Sequence, residues 1–187
     1  MHLIAAILML VSMAMAPPPA PAPAAERDPR WEFFTGDKTF YRSPWYGGAH
    51  RIMIPFGCTR APYYPPDPRC RRDRGFHHGI DIAMPCGTLL RSDRRGWVVS
   101  NDALGPAYGT NPIRLRNYRQ RWDIVIGHTR RVFVRPGDRI RPGTALGRAS
   151  DSAAPDGCHL HFERRALRGE LSSATSPREM LELRPRS

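Results

Sequence analysis

Apolar positions along this chain fall into many short runs and one longer one. The longer run, Leu3 to Ala16, is 14 residues of apolar and small side chains at the very start. It is shorter than the roughly 20 residues a membrane-spanning helix needs. Elsewhere, short apolar stretches are punctuated by Gly, Pro, Asp and Asn, the signature of brief strands between turns. The pattern predicts strands over 79–83, 88–92, 97–100, 113–118, 122–128, 131–135, 145–149 and 158–164. RPGD at 135–138 and RPGT at 141–144 place Pro and Gly where tight turns want them. Residues 55–74, with five prolines and a cysteine near each end, read as one long loop, and 103–112 as an exposed rim loop. Helical signals are confined to the end. There Ser176, Pro177 and Glu179 offer an N-cap, a first-turn proline and a capping-box acid before MLEL. The expected fold is mostly β, a compact antiparallel sheet core with a short C-terminal helix.

Composition agrees with this picture. Twenty prolines and 16 glycines in 187 residues imply many turns, and 41% hydrophobic residues are enough for a core. Residues 26–50 carry seven of the aromatics, Trp31, Phe33, Phe34, Phe40, Tyr41, Trp45 and Tyr46. Such a segment is expected to be an arm packed on the domain, in preference to a free linker or a sugar-stacking surface. The chain is therefore divided into 1–25, 26–50 and a main domain, 51–183. The first segment reads as a signal peptide followed by a Pro/Ala stretch, cut after Ala16 or after Ala24 or Ala25. An uncleaved anchor on a polyproline tether is the other reading, and either exports the domain to the periplasm or the cell wall.

Charge and cysteines narrow the setting. There are 29 Lys plus Arg against 17 Asp plus Glu, a net charge of +12, and Lys38 is the only lysine. That charge fits nucleic-acid binding by itself. The arginines are spread along the chain, however, and no nucleic-acid motif accompanies them, so no nucleic-acid partner is expected. Attraction to an anionic envelope, together with arginine-rich codon usage that needs no partner, accounts for the charge without one. Cys58, Cys70, Cys86 and Cys158 suit an oxidising compartment. None forms a CxxC, so two disulfides are expected in place of a thiolate zinc site.

Five of the seven histidines form three clusters: FHHGID with His77, His78 and Asp81, then His128 after DIVIG, then CHLHFE with His159 and His161. A strand alternates faces at each residue, so His159 and His161 point one way. If 77–81 is a strand, His77 and Asp81 also share a face and His78 points away. Two same-face pairs of nitrogen and carboxylate donors match what a zinc site needs, and three protein ligands with one open position make such a site catalytic. Glu163 falls on the same face, as a partner of a ligand or as a surface glutamate. Cys86 follows the strand carrying Asp81 and Cys158 precedes His159. The expected pairing is Cys86–Cys158, clamping the two strands, with Cys58–Cys70 closing the proline-rich loop.

HHGIDIAMPCGT, the IGH at 126–128, VRPGDRIRPGTALG and GCHLHFE resemble, in that order, the motifs of lysostaphin-type zinc metallopeptidases, across roughly residues 50–183. The resemblance implies an antiparallel β core with a groove walled by loops, and zinc-dependent cleavage of peptide bonds in bacterial peptidoglycan. It assigns His77, Asp81 and His161 as Zn2+ ligands and His128 and His159 as the catalytic histidines beside the water nucleophile. No HExxH motif supplies a glutamate base, so a neutral imidazole has to take the proton. Two departures stand out. Cys158 occupies a position commonly proline in the family. RDRGF, before His77, lacks the aromatic hydroxyl often found there, so that hydrogen-bond donor is either missing or supplied from elsewhere. The alternative on the same fold is a non-hydrolytic wall-binding or amidase-activating module. Retention of all five positions favours the enzyme, a hydrolase with a peptidoglycan peptide as substrate.

Overall fold

The structure, a computed structural model, describes residues 28–186. The leader segment read from Leu3–Ala16 and the Pro/Ala stretch lie outside the described residues. No helix among the described residues is long and apolar enough to cross a membrane. The chain forms β1 (Phe40–Ser43), β2 (Tyr46–Ile54), β3 (Gly57–Thr59), β4 (Gly75–His77), β5 (Ile80–Ala83), β6 (Leu89–Arg91) and β7 (Gly96–Val99). It continues with β8 (Ile113–Asn117), β9 (Trp122–Gly127), β10 (Thr129–Arg130), β11 (Arg139–Ile140), β12 (Ala145–Ala149) and β13 (His159–Ala166). A single helical turn, α1 (Arg178–Leu181), precedes β14 (Arg184–Pro185).

Most strands join one curled antiparallel sheet in the order β10-β12-β6-β2-β5-β13-β9-β8-β7-β11, with β1 between β2 and β14. β3 and β4 form a separate hairpin. Alternation decides which side of the sheet is apolar. Leu160 and Phe162 of β13, Ile80 and Ile82 of β5, Ile124 and Ile126 of β9 and Leu115 of β8 all enter one core. Trp45 packs edge-on against Phe162, with ring centroids 4.8 Å apart. Burying each such side chain contributes roughly 1.5–3 kcal/mol. The odd-numbered positions of β5 and β13, Asp81 and Ala83, and His159, His161, Glu163 and Arg165, are left to the other face. The sheet thus separates an apolar side from a polar side, and the polar side carries the site.

Several expectations need correction. Residues 77–81 are not one strand: β4 ends at His77, the chain bends through His78 and Gly79, and β5 starts at Ile80. Residues 131–135 form no strand. Arg131 adopts a left-handed backbone, φ 48°, that turns the chain out of the ladder, although Val132 and Val134 still pack on the core. The capping box does not form: Pro177 takes the N-cap position without a side-chain hydrogen bond. The helix is one turn because Glu182 reverses the chain at φ 48° and sends it into β14. The aromatic segment contributes β1 and the start of β2 to the sheet.

Candidate active site

The site grows from the pairing of β5 with β13, which sets His161 opposite Asp81 and His159 opposite Ala83. The β3–β4 hairpin folds over this face and delivers His77. The Nε2 of His77, the Nδ1 of His161 and a carboxylate oxygen of Asp81 all lie within 4.8 Å of one another, on buried side chains. The closest approach is His161 Nδ1 to Asp81 Oδ1, 2.7 Å. Each ring is oriented from behind. His77 donates its Nδ1–H to the Pro55 carbonyl at 3.1 Å, and His161 donates its Nε2–H to Glu163 Oε1 at 2.9 Å. These bonds fix which nitrogen of each ring faces the centre.

Glu163 is itself held by Arg165, Nε to Oε2 2.7 Å, and by the Tyr108 hydroxyl, which donates to Oε1 at 2.8 Å. Arg165 also donates to the Tyr108 oxygen at 2.6 Å. Burial would push the Glu163 carboxyl up, but His161 and Arg165 outweigh it and bring it down to about 2. Burial also opposes charge on His161, and Asp81 and Glu163 reverse that, raising the imidazolium to about 10. Against the same burial, the three histidines around Asp81 keep its carboxyl well below the usual range.

His128 and His159 stand beside this triad, their ring centroids 4.5 Å apart. His128 sits at the end of β9 in a left-handed conformation, φ 53°, which side chains rarely adopt. Its N–H donates to the Tyr108 carbonyl and its own carbonyl accepts from the Ser150 N–H, both at 2.8 Å, so flanking loops hold the strained turn. Its ring Nδ1–H donates to the Ser152 carbonyl at 2.6 Å, and that of His159 to the Gly157 carbonyl at 2.9 Å. Both rings therefore keep Nε2 free of these carbonyls. Burial, then the neighbouring imidazoles, push His128 down to about 3. The Nε2 of His159 is buried with no hydrogen-bond partner among the described residues. Gly157 permits this arrangement. Its φ is +91°, and a Cβ there would lie 2.6 Å from Asp28 Oδ2.

The family model of peptidase family M23 matches residues 75–173. The chain belongs to peptidase family M23. It superposes on the solved structure of LytU with 23% identity and a TM-score of 0.59, over 73% of this chain and 87% of that one. The catalytic domain of the antimicrobial peptidase lysostaphin from Staphylococcus simulans matches at 23% identity and TM-score 0.56, over 71% and 92%. The catalytic domain of a prophage-encoded M23 protein, EnpA from Enterococcus faecalis, matches at 23% and 0.52, over 72% and 94%. At such identities these likenesses concern the fold.

In this M23 chain the five residues singled out from the sequence, His77, Asp81, His128, His159 and His161, meet in one place. His78 does not join them. It is half-buried beside Phe76 and takes a 3.0 Å contact from Arg69. Glu163 proves to be the buried partner of His161. Both disulfides are formed, Cys58–Cys70 with Cα atoms 5.5 Å apart and Cys86–Cys158 with 5.2 Å. Sequence reasoning missed three residues. Arg165 carried a signal, because it continues the alternation through 159, 161 and 163. Tyr108 comes from the rim loop. Tyr64 comes from the disulfide-closed loop, its ring 5.0 Å from that of His77. Burial, then the carboxylates of Asp81, Asp156 and Glu163, drive its hydroxyl pKa upward.

Proposed function

We propose that this chain is an exported, zinc-dependent endopeptidase that hydrolyses peptide bonds in the cross-links or stems of bacterial peptidoglycan. The observation that carries the reading is the convergence of His77 Nε2, Asp81 Oδ1 and His161 Nδ1, each ring's other nitrogen already committed. Two imidazole nitrogens and one carboxylate are a zinc donor set, and the unpartnered Nε2 of His159 beside them marks a place where another polar group belongs. The donors present therefore fit the ion. Bound there, zinc supplies Lewis-acid polarisation of the scissile carbonyl and acidifies a water toward pKa ~7.

The chain's own residues do the rest. His128 and His159, each held at Nδ1 by a backbone carbonyl, orient the attacking water and take its proton. For His128, burial and the neighbouring imidazoles keep the ring uncharged until that proton arrives. The Tyr64 hydroxyl, kept protonated by burial and by the carboxylates around it, donates to the oxygen on which charge develops. It fills the role for which RDRGF has no residue. Glu163, Arg165 and Tyr108 hold the His161 ring in register. In this reading residues 1–25 are a leader, 26–50 an arm that adds β1 and the start of β2, and 51–183 the rest of the peptidase. Two disulfides and the net charge of +12 suit an exported protein meeting an anionic wall.

The test is digestion of purified sacculi with the zinc-loaded chain, with and without chelator, followed by mass analysis of released fragments. Peptide-bond cleavage products that vanish with chelator and return with zinc are expected. A folded, zinc-loaded protein that leaves several cross-link types intact would sink the enzymatic reading in favour of a binding module.

A further inference from the structure

The face that carries the histidines continues beyond them. β13 pairs His159 with Ala83, and β1 pairs Phe40 with Arg51. The Ile52–Ile82 pair, with its antiparallel register carried one residue further, sets Arg51 opposite Ala83. Directly opposed residues share a face. Phe40, Arg51, Ala83 and His159 therefore form one row across four strands. At the usual strand spacing, Arg51 stands about 10 Å from His159.

Over this row the aromatic arm builds a pocket of about 380 Å³, walled by Trp31, Phe33, Phe40 and Pro85 and floored by Ala83 and Arg51. The Arg51 guanidinium stacks on Phe33, 4.0 Å from the ring centroid, which fixes its plane. Its Nε is buried and has no hydrogen-bond partner among the described residues. On the sheet's polar side Arg114 and Arg116 are paired with Asp123, and Arg165 with Glu163. Arg51 pairs with no carboxylate among the described residues. A planar guanidinium held on an aromatic ring and left without a carboxylate partner is shaped to receive one through two parallel bonds.

We propose that this pocket is a carboxylate-binding subsite: Arg51 receives a carboxylate of the peptide being cleaved, with Trp31 and Phe33 packing on the adjoining aliphatic part. The proposal rests on the peptidase reading and adds a specificity element to it. An extended peptide advances roughly 3.3 Å per residue, so the recognised carboxylate belongs about three residues from the scissile bond.

The experiment is calorimetric titration of the zinc-loaded full chain with a soluble peptidoglycan stem peptide and with versions in which each carboxylate in turn is converted to its amide. Mass analysis of the peptide before and after checks that it stays whole. One amidation should weaken binding to the unsubstituted protein at least tenfold and leave binding to Arg51→Met unchanged. Arg51→Lys, which keeps the charge and loses the fork, should fall between them. If no amidation weakens binding, or if Arg51→Met loses as much as the parent, the subsite is refuted. The arm that uses the unsubstituted protein decides this even if Arg51→Met folds poorly. Sacculus digestion is read separately, so a protein that cuts the wall without discriminating among these peptides fails this proposal alone.

Discussion

Glu163 accepts the Nε2–H of His161 at 2.9 Å, and that bond is what turns Nδ1 of the ring toward Asp81 and His77. Glu163→Gln keeps the shape, but its amide can present either end to the ring and carries no charge to support it. The substitution should weaken zinc binding about 10–100-fold. Competition with a chelating dye measures it. An unchanged zinc affinity would remove Glu163 from the site's machinery.

Three neighbouring histidines should give three different phenotypes. His77→Ala deletes one of the three converging donors, so zinc content should collapse. His78→Ala should keep its zinc and most of its turnover, since His78 faces Arg69 and Phe76. His128→Ala should keep its zinc and lose at least a hundredfold in turnover, the usual scale for a positioned base. Zinc stoichiometry beside turnover for the purified variants separates them. Zinc lost from His78→Ala and kept by His77→Ala would overturn the ligand set.

Tyr64→Phe removes one hydroxyl and leaves the ring against His77. If that hydroxyl serves the developing oxyanion, kcat should fall about a hundredfold while KM and zinc content hold. An equal fall in kcat for Tyr108→Phe, with Tyr64→Phe near normal, would give the role to Tyr108 instead.

Strand alternation makes part of this site legible in the sequence. Asp81 on one strand and His159, His161, Glu163 and Arg165 on another obey a period of two, and their pairing follows once the strands are adjacent. His77 arrives in the right company by a different route, because a bend at His78–Gly79 replaces the continuous strand. Gly79 is what allows that bend to sit so close, since a Cβ there would lie 2.8 Å from His161 Cε1. Tyr64 and Tyr108 are not legible in the same way, because long loops bring them in and no local period records where a loop's side chains land. β2 escapes the sequence pattern for a related reason. Its first half, YGGAH, has glycines where an alternating strand would carry side chains, and only RIMI reads as a strand.

The metal-free protein should show a distinctive pH dependence. His161 has a folded-state pKa of about 10 against an ordinary 6.5, so the native state holds its proton more tightly. Its contribution to stability is whole below pH 6.5 and is lost as pH rises through 10. Zinc at Nδ1 would displace that proton, so uptake at about pH 8 should release protons and flatten the slope. Thermal unfolding between about pH 7 and pH 10, with chelator and with zinc, tests this. A metal-free Tm that does not fall over that range contradicts the charge state assigned to His161.

The Cys86–Cys158 bond closes the end of the β5–β13 ladder just beyond its last pair, Ala83–His159. The bridged residues are 72 apart in sequence, and the chain-entropy estimate for such a loop is about 4 kcal/mol, against about 3 for the shorter Cys58–Cys70 loop. Replacing both Cys86 and Cys158 by Ser should therefore lower Tm on the order of 10 °C, more than the same change at Cys58 and Cys70. The functional effect should be graded along the strand. Fraying from the open end reaches His159 first, while the His161–Asp81 pair stays inside the ladder, gripped on its other side by β9. Turnover should then drop several-fold with zinc affinity nearly unchanged. Loss of zinc with turnover per bound zinc preserved would show that the bond holds the metal ligands themselves, and that the ladder alone does not.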